Sequence, residues 1–369
     1  MLNSTDVCVV GGGPAGLAVA IAARQQGLRV VVADGATPPI DKACGEALMP
    51  DAVTALERLG VPLSSVDGFQ IHGVRFLSGD LSAETVFPSG LFGVSVRRTE
   101  LHGVMIQRAA ALGVDLLWQT AVTGISSGEV RLRGHGIRAR WIVGADGVNS
   151  RVRRWANLDP HRRSRARYAF RRHYRVMPWS NRMEIYWGKQ SQAYTTAVSS
   201  DQVCVAVASR DPQLRLDDSL SEFPELKLRL CGAEATSIER GAVTANRRFR
   251  RVWRGNVALT GDASGTVDAI TGEGLGLCFG QALALAECLK SGNLAAYQST
   301  HRRLMLRPRL MARLMLTLDG RTGLQRRTLR VFRKHPDIFR QLLALHVGSL
   351  SPFDAAVDGL ALGWKLLTA

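Results

Sequence analysis

Residues 11–16, with the sequence GGGPAG, have the composition and spacing to hold a phosphate group. Gly11 permits a tight turn, Gly13 lets the backbone approach a pyrophosphate, and Gly16 lets a helix pack closely against a strand. The amides exposed at a helix start beside Pro14-Ala15, together with the helix dipole, attract negative phosphates. The pattern G-x-G-x-x-G therefore predicts a dinucleotide site.

The elements around this loop complete a strand–helix–strand unit. Residues 6–10 form an apolar, β-branched run typical of a buried parallel strand, and residues 17–26 predict a helix. A second apolar strand, 28–33, is closed by Asp34. Asp34 is placed to accept hydrogen bonds from ribose hydroxyls, and its charge would repel a 2′-phosphate. The unit therefore favours FAD or NAD over NADP.

Length and composition set wider limits. A chain of 369 residues, 46% hydrophobic and 21% charged, predicts an ordinary globular protein with more than one domain. The six cysteines are scattered without a C-x-x-C pair, which favours reduced thiols in a cytoplasmic protein and predicts no metal site. The apolar stretch 7–23 is interrupted by glycines and a proline, so we do not expect it to span a membrane.

The formal net charge of +17 at pH 7 predicts attraction for anions. Much of the excess lies in residues 151–175, with ten arginines and one acidic residue, and in residues 302–340. Finger ligands, RNP-like aromatics and a clear helix-turn-helix pattern are missing beside these arginines, so no nucleic-acid partner is expected. Attraction of an anionic cofactor, or peripheral contact of the basic C-terminal helices with acidic lipids, is favoured instead.

Four later segments, of which 257–263 and 271–276 follow one another closely, decide between FAD and NAD. Residues 141–151 (WIVGADGVNSR) and 257–263 (VALTGDA) each predict a buried strand that ends in a turn with an aspartate. Residues 271–276 (TGEGLG) begin an apolar helix, whose N-terminus can stabilise an anionic reduced flavin. Residues 96–102 (VRRTELH) begin another helix.

In order and spacing, these segments resemble the superfamily of flavin-dependent monooxygenases and geranylgeranyl reductases, which has the para-hydroxybenzoate hydroxylase fold. The resemblance covers nearly the whole chain and implies FAD as the cofactor. It places Asp146 near the ribose and phosphates and Asp262 on the ribityl chain, and it brings Arg98, or its neighbour Arg97, to the cofactor. Family members usually carry a proline where this chain has Asp268. The predicted cofactor contacts are Gly11, Gly13, Pro14, Ala15, Gly16, Asp34, Lys42, Cys44, Arg98, Val122, Asp146, Asp262, Gly272, Gly274, Leu275 and Gly276.

Residues 41–50 (DKACGEALMP) resemble the C-G-E loop of the geranylgeranyl-reductase-like branch, which passes alongside the isoalloxazine. The resemblance implies that Cys44 lies near the flavin ring and that Glu46 takes or gives a proton, so these two are the predicted catalytic residues. The alternative interpretation is a helix-entry loop with a packed thiol. Lys42 could meet either the FAD phosphates or solvent.

Residues 168–209 alternate in hydrophobicity as antiparallel strands do. Because the family places its substrate over such a sheet, Tyr186, Trp187 and Tyr194 are predicted pocket residues, with burial in the core as the alternative. His173 has no serine or carboxylate at a telling distance in the sequence, and no hydrolase triad is predicted.

The predicted fold is α/β: a Rossmann-type FAD-binding domain, an inserted antiparallel β-sheet substrate domain and a helical C-terminal region. The C-terminal helices would cover the pocket or rest on a membrane surface. The predicted boundaries are 1–70, 96–165 and 245–300 for the FAD-binding domain, 71–95 and 166–244 for the substrate domain, and 301–369 for the C-terminal region.

The resemblance implies an FAD-dependent oxidoreductase. A monooxygenase acting on an aromatic or polyketide-like small molecule is favoured, with NAD(P)H as a transient electron donor or a separate flavin reductase or ferredoxin in its place. The alternative is a reductase of polyprenyl or other lipid carbon–carbon double bonds. A halogenase lacks its W-x-W-x-I-P pattern here, and a remote alternative is a lipid- or nucleic-acid-binding protein with structural FAD.

Overall fold

The computed structural model describes residues 4–126, 128–159 and 166–350, and within these ranges the strands form two large and two small sheets. The strands are β1 (Ser4–Val10), β2 (Val30–Ala33), β3 (Ala47–Leu48), β4 (Gly68–Ile71), β5 (Gly73–Ser78), β6 (Leu81–Val86), β7 (Gly93–Val96), β8 (Asp115–Leu117), β9 (Gly124–Ser126), β10 (Glu129–Arg131), β11 (Gly136–Gly144), β12 (Ala166–Arg175), β13 (Met183–Trp187), β14 (Ser191–Ala197), β15 (Gln202–Ser209), β16 (Glu234–Ala235), β17 (Arg240–Ala245), β18 (Arg247–Arg248), β19 (Trp253–Arg254), β20 (Val257–Leu259) and β21 (Gly265–Thr266).

The helices connect these strands and follow them at the C-terminal end. They are α1 (Pro14–Gln25), α2 (Pro50–Leu59), α3 (Arg98–Ala111), α4 (Arg151–Trp155), α5 (Leu216–Ser219), α6 (Pro224–Arg229), α7 (Gly274–Ser291), α8 (Leu294–Leu304), α9 (Leu306–Leu318), α10 (Thr322–Lys334) and α11 (Pro336–His346). Short 3₁₀ turns span Leu63–Ser65, Leu220–Glu222, Gly261–Ser264 and Ala269–Thr271.

The first large sheet has the strand order β19–β20–β11–β1–β2–β8, and from β20 to β8 all neighbours are parallel. Strands β10 and β9 extend it as an antiparallel ribbon beside β11. In β1 the run Val7–Val10 is buried, as the apolar sequence predicts. Because parallel strands end at one edge, the loops after β1, β2, β11 and β20 meet there, and such an edge is where ligands bind in open α/β sheets.

Helices cover one face of this sheet. Every residue from Gly16 to Ala23 in α1 is buried, since the helix lies between the sheet and its neighbours α3 and α7. Small side chains at many of these positions allow the close approach of α1 and α7. A helix that is apolar all round, as this one is, suits a fully buried position.

The second large sheet has the order β16–β12–β15–β14–β13–β5–β6, with β17 also paired to β12. Its neighbours are antiparallel except β13 and β5, which are parallel. Side chains alternate between two faces. One face packs against α10 and α11 through Phe76, Phe332 and Phe339, and the other against α5 and α6 through Tyr186 and Phe223.

The remaining strands and the last helices join the two large sheets. A small sheet of order β3–β7–β4 lies in the segment between them, and α9 packs near the 3₁₀ turn Ala269–Thr271. The predicted fold class is confirmed: a parallel α/β sheet, a largely antiparallel second sheet and a helical C-terminal region. The domain boundaries stay a prediction, and residues 351–369 of the predicted C-terminal region lie outside the described residues. Among the described helices, none has the length and apolarity that a membrane crossing requires.

Candidate functional site

A cavity of about 620 Å³ opens where the parallel strands end, with one wall from the first sheet's loops and another from the second sheet. All the predicted cofactor contacts line it except Gly16 and Gly276. Glu46 and Tyr194 also line it, whereas Tyr186 and Trp187 do not. Both predicted catalytic residues therefore lie in the same cavity as the glycine-rich loop.

The glycine-rich loop is shaped by close backbone contacts. Gly11 has φ +109°, and a Cβ there would lie 2.5 Å from the carbonyl oxygen of Ala145. A Cβ on Gly16 would lie 1.8 Å from the carbonyl oxygen of Gly11, so Gly16 allows α1 to pack closely against the loop, and its predicted contact with the cofactor stays a prediction. Around Gly13, by contrast, no atom lies within 4 Å of such a Cβ. The loop thus leaves open space at the start of α1, whose N-cap has no side-chain partner.

Two side chains brace this loop. The Asp34 carboxylate accepts hydrogen bonds from the amides of Gly12, at 2.6 Å, and Ala36, at 2.7 Å. His102, which the sequence did not single out, donates from Nε2 to the Gly12 carbonyl at 2.7 Å and accepts at Nδ1 from the Ile40 amide at 3.1 Å. Burial lowers the pKa of His102, which favours the neutral ring that this donor–acceptor pattern needs.

Asp146 lines the cavity, and its carboxylate is hydrogen-bonded to groups at the start of α4. It accepts from Ser150 Oγ at 2.5 Å and from the amides of Arg151 and Val152 at 2.7 and 3.1 Å. These donors belong to the start of α4, so Asp146 fixes the turn that follows β11. Its predicted contact with ribose and phosphates stays a prediction.

Asp262 and Lys42 meet across the cavity. Their carboxylate and Nζ atoms lie 2.9 Å apart, and each side chain is a little under half exposed. Gly261, with φ +55°, precedes Asp262 and donates its amide to Gln281 Oε1 at 2.9 Å. The pair therefore brings a cation and an anion to the place where the resemblance puts the ribityl chain and phosphates.

The loop before α7 carries the last group of predicted contacts. Gly272, at φ +69°, ends a 3₁₀ turn, and α7 begins at Gly274 with no side-chain cap. Gly274 and Leu275 line the cavity, whereas a Cβ on Gly276 would press on Ala52 at 3.2 Å. Gly276 therefore packs against α2. The free amides of α7 point their partial positive charge toward the cavity.

Asp268 stands where the family usually has proline, and the structure gives it a partner. Its carboxylate accepts from Arg167 Nη1 at 3.1 Å and from the Ile270 amide at 3.1 Å. Both Arg167 and Asp268 are buried. The ion pair and the cap hold the 3₁₀ turn that a proline would otherwise restrict.

Arg98 provides a test of whether an anionic cofactor fits. Its backbone amide donates to Glu46 Oε1 at 3.0 Å, and its side chain lines the cavity. The Nε atom is buried and has no hydrogen-bond partner among the described residues. An unpaired guanidinium atom, open space at Gly13 and Gly274, and uncapped amides on α1 and α7 all suit the phosphates and ring of FAD.

The loop with Cys44 and Glu46 lies between the two walls. Glu46 adopts φ +63°, is almost fully buried, and donates its amide to Cys44 Sγ at 3.3 Å. Its Oε2 lies 2.6 Å from His173 Nε2, and its Oε1 lies 3.8 Å from Arg171. Sequence spacing gave His173 no partner, but the fold supplies one. The separation of 127 residues between Glu46 and His173 hid it.

The second wall corrects the predicted pocket aromatics. Tyr194 lines the cavity and donates its hydroxyl to the Ile270 carbonyl at 3.2 Å. Tyr186 points to the opposite face, where its hydroxyl donates to Glu184 Oε2 at 2.6 Å. Trp187 is covered by Phe76, with ring centroids 4.6 Å apart. Strand alternation and the overlying helices therefore remove Tyr186 and Trp187 from the cavity.

Several arginines of the basic stretch 151–175 are buried and not free for an outside anion. Arg153 donates to the Ala263 and Val148 carbonyls at 3.0 Å each. Arg167 and Arg171 pair with buried or half-buried carboxylates. These charges fix loops around the cavity. Residues 160–165 of this stretch lie outside the described residues.

Comparison with known proteins agrees with this geometry. The family described as "FAD binding domain" matches residues 4–293. Menaquinone reductase of Mycolicibacterium smegmatis is 29% identical over 331 residues, covering 81% of this chain and 80% of that protein. Digeranylgeranylglycerophospholipid reductase 1 of Methanothermobacter thermautotrophicus is 26% identical over 78% of each chain.

Among solved structures, a flavoprotein/dehydrogenase from Cytophaga hutchinsonii has a TM-score of 0.85 over 99% of each chain. Its sequence identity is 18%, so this likeness shows a shared fold.

Proposed function

The chain belongs to the FAD-binding domain family and is an FAD-dependent oxidoreductase, and from this premise we propose that it saturates a carbon–carbon double bond of an apolar, prenyl-type lipid. The wall of the cavity that faces the FAD-binding loops carries the proposal. That wall is largely small and apolar, and Cys44 and Glu46 lie at its edge. The apolar side chains on the cavity-facing side of its strands include Ala169, Met183, Ala206, Ala208 and Ala242.

The chemistry divides between cofactor and protein. Reduced FAD supplies a hydride. The amides of α1 and the Arg98 guanidinium would hold its phosphates, and the N-terminus of α7 would stabilise negative charge near its ring. Saturation of a double bond also needs one proton, and we assign it to Glu46 or Cys44, which both line the cavity beside the apolar wall. The apolar wall would orient a chain without polar groups and exclude water.

The relatives support this proposal through their names. Menaquinone reductase and digeranylgeranylglycerophospholipid reductase are each named for reduction of a lipid-like substrate, and both align over most of this chain. The sequence alone favoured a monooxygenase, and that interpretation stays a prediction. The observation that favours it is the Tyr194 hydroxyl on the cavity wall, which could orient a polar aromatic ring.

One experiment distinguishes these functions. Purified protein loaded with FAD is photoreduced without oxygen and incubated with menaquinone or a geranylgeranyl lipid, and products are weighed by mass spectrometry. We expect a gain of two hydrogens for each saturated bond, and this gain should persist after reoxidation in air, which returns any quinol to the quinone but leaves a saturated bond unchanged. A product that forms only when oxygen is admitted, with the mass of one added oxygen, would support the monooxygenase and contradict our proposal.

The electron donor is a separate proposal. We propose that NAD(P)H docks transiently or that a separate flavin reductase or ferredoxin delivers the electrons, because the sequence has one dinucleotide fingerprint. Stopped-flow absorbance of bound FAD mixed with NADH, NADPH or reduced ferredoxin measures which donor bleaches the flavin.

A further inference from the structure

Three side chains from distant parts of the sequence form a continuous line of hydrogen bonds from the cavity toward the surface. Glu46 lines the cavity, His173 on β12 is fully buried, and Ser237 in the loop between β16 and β17 is half-buried. Ile238, next to Ser237, is 68% exposed, so the outer end lies near solvent. We propose that Ser237 and His173 are positioning residues that carry protons from solvent to Glu46. This inference rests on the proposed reduction, which consumes one proton.

The distances suit proton transfer. His173 Nε2 lies 2.6 Å from Glu46 Oε2, and His173 Nδ1 lies 2.8 Å from Ser237 Oγ. Ser237 Oγ also accepts the backbone amide of His173 at 3.0 Å, which fixes the serine against the strand. Both gaps are short hydrogen bonds between groups that exchange protons readily.

The charged neighbours of His173 determine which of its ring nitrogens carries the proton. Arg171 Nη1 lies 3.3 Å from His173 Nδ1 and can only donate, so Nδ1 is an acceptor and the ring proton sits on Nε2, facing Glu46. The other groups facing this pair are the Cys204 thiol and, through Arg171, the carboxylate of Asp41. The ring in this tautomer is ready to give a proton to the carboxylate and to take one from the serine.

Proton transfer along Ser237, His173 and Glu46 involves no oxidation or reduction. The Ser237 O–H bond breaks as a bond from Nδ1 to hydrogen forms, and the Nε2–H bond breaks as Glu46 Oε2 gains a proton. Water reprotonates Ser237, and Glu46 passes its proton to the substrate carbon. After the product leaves, water that enters the cavity returns a proton to Nε2 through Glu46, and Nδ1 releases its proton through Ser237 to solvent, which restores the starting tautomer.

A separate route is needed because the inner end is closed. The side chain of Glu46 is 1% exposed, and an apolar substrate in the cavity would exclude water from it. Glu46 also holds a left-handed backbone conformation, which is strained for a non-glycine residue. The Val96 amide on its carbonyl, at 3.1 Å, and the Arg98 amide on Oε1 maintain this conformation. The carboxylate is therefore fixed at the junction of cavity and relay.

The test compares Ser237→Ala, Ser237→Thr and His173→Gln with the control Ser221→Ala, an exposed serine that bonds only a nearby carbonyl. FAD occupancy by absorbance and melting temperature show whether each variant is intact. We expect Ser237→Ala to lower kcat for double-bond saturation at least about tenfold, with KM unchanged and an altered pH profile. Ser237→Thr should restore kcat and the pH profile of the unaltered protein. His173→Gln should lower kcat more than Ser237→Ala does.

Two failures are distinguishable. If the unaltered protein saturates its substrate but Ser237→Ala keeps the same kcat, pH profile and solvent isotope effect, the relay is wrong and the proposed function stands. If the unaltered protein forms no saturated product with any prenyl lipid, the proposed function is wrong and the relay falls with it. If His173→Gln fails to fold, the two Ser237 variants decide between these outcomes on their own.

Discussion

The two walls of the cavity are built in different ways. The FAD-binding wall comes from loops near the edge where the parallel strands end, and its lining residues fall in short contiguous segments such as 13–15 and 271–275. The substrate wall comes from side chains that the second sheet brings together across long separations, such as Ala169, Tyr194 and Ala206. Behind this wall, His173 bonds both Glu46 and Ser237. In the FAD-binding wall, the backbone of the loops depends on the space that glycines leave. In the substrate wall, the positions of the side chains depend on the pairing register of the strands. Substitutions should therefore have different consequences on the two walls.

The largest effect is expected at Gly16. A Cβ there would lie 1.8 Å from the Gly11 carbonyl oxygen, so Gly16→Ala should displace α1, abolish FAD binding and lower the free energy of unfolding by more than about 3 kcal/mol. Chemical denaturation and flavin absorbance measure both effects. Gly13→Ala has open space around it and should weaken FAD binding while keeping the fold.

The matched control is Gly103→Ala, within α3, where nothing lies within 4 Å of the added carbon. We expect it to stabilise the protein by roughly 0.5–1 kcal/mol because alanine is the better helix former. If Gly16→Ala had the same stability and FAD binding as Gly103→Ala, the close packing of α1 on the Gly11 loop would be contradicted.

These motifs show what the sequence could predict. Gly11, Asp34 and Arg98 were found because their neighbours in sequence are also their neighbours in space. The contact between Glu46 and His173 was missed because 127 residues separate them, and no local sequence pattern encodes the register that brings β12 to the Cys44 loop. His102 was missed for the same reason, since it braces Gly12 from 90 residues away.

Of the three aromatic residues predicted for the pocket, Tyr194 lines the cavity, whereas Tyr186 and Trp187 do not. The alternating pattern predicted the strands correctly, but it could not say which face would meet the cavity. Tyr186 lies on the far face, and Trp187 lies on the near side under Phe76 and Phe339. Deciding between core and pocket needs the position of α10 and α11, which depends on the complete tertiary structure.

A second prediction concerns pH and the loop before α7. Burial raises the pKa of Glu273 to about 8, even though Arg307 lowers it, so the folded protein keeps this carboxyl protonated at neutral pH. The unfolded chain would release that proton near its usual value. Stability from this group is therefore complete at low pH and is lost as pH rises toward about 8.

Two buried histidines give stability the opposite dependence on pH. Burial lowers the pKa of His301 and of His346 to about 4 each, so their contribution is complete above about pH 6.5 and is lost as pH falls toward about 4. We expect melting temperature to peak near neutral pH, with each histidine costing about 3 kcal/mol at the acid end.

Glu273→Gln should abolish the alkaline decline in melting temperature and leave the acid decline in place. Glu287→Gln, an exposed residue on the same helix α7, is the control and should change neither. An alkaline decline that persists in Glu273→Gln would show that another group causes it.

A smaller effect should separate the two tyrosines. Tyr186→Phe removes a donor from buried Glu184 and should lower stability by about 1–3 kcal/mol, with kcat and KM for the substrate unchanged. Tyr194→Phe changes the cavity wall and should alter KM severalfold. Steady-state kinetics and thermal melting on both variants measure this difference. Equal changes in KM would contradict the assignment of one residue to the pocket and the other to the core.

The smallest effect is expected on the outer surface, where we propose peripheral contact with anionic lipid. Leu306 and Leu310 on α9 are 64% and 51% exposed, and two exposed arginines flank them in the sequence, Arg303 at the end of α8 and Arg313 on α9. Such a stripe suits the surface of an acidic bilayer, with the leucines in the interface and the arginines on the head groups. A lipid substrate would reach the protein from that surface.

The double variant Leu306→Ser/Leu310→Ser should reduce flotation with phosphatidylserine vesicles about tenfold, since it removes two apolar side chains from the interface. Leu228→Ser on α6 is the control, because Leu228 is 76% exposed but lies apart from this stripe. Added salt should weaken binding of the unaltered protein by screening its arginines. Flotation that is equal for all three proteins would remove the membrane contact while leaving both walls of the cavity, and the reaction proposed for them, unchanged.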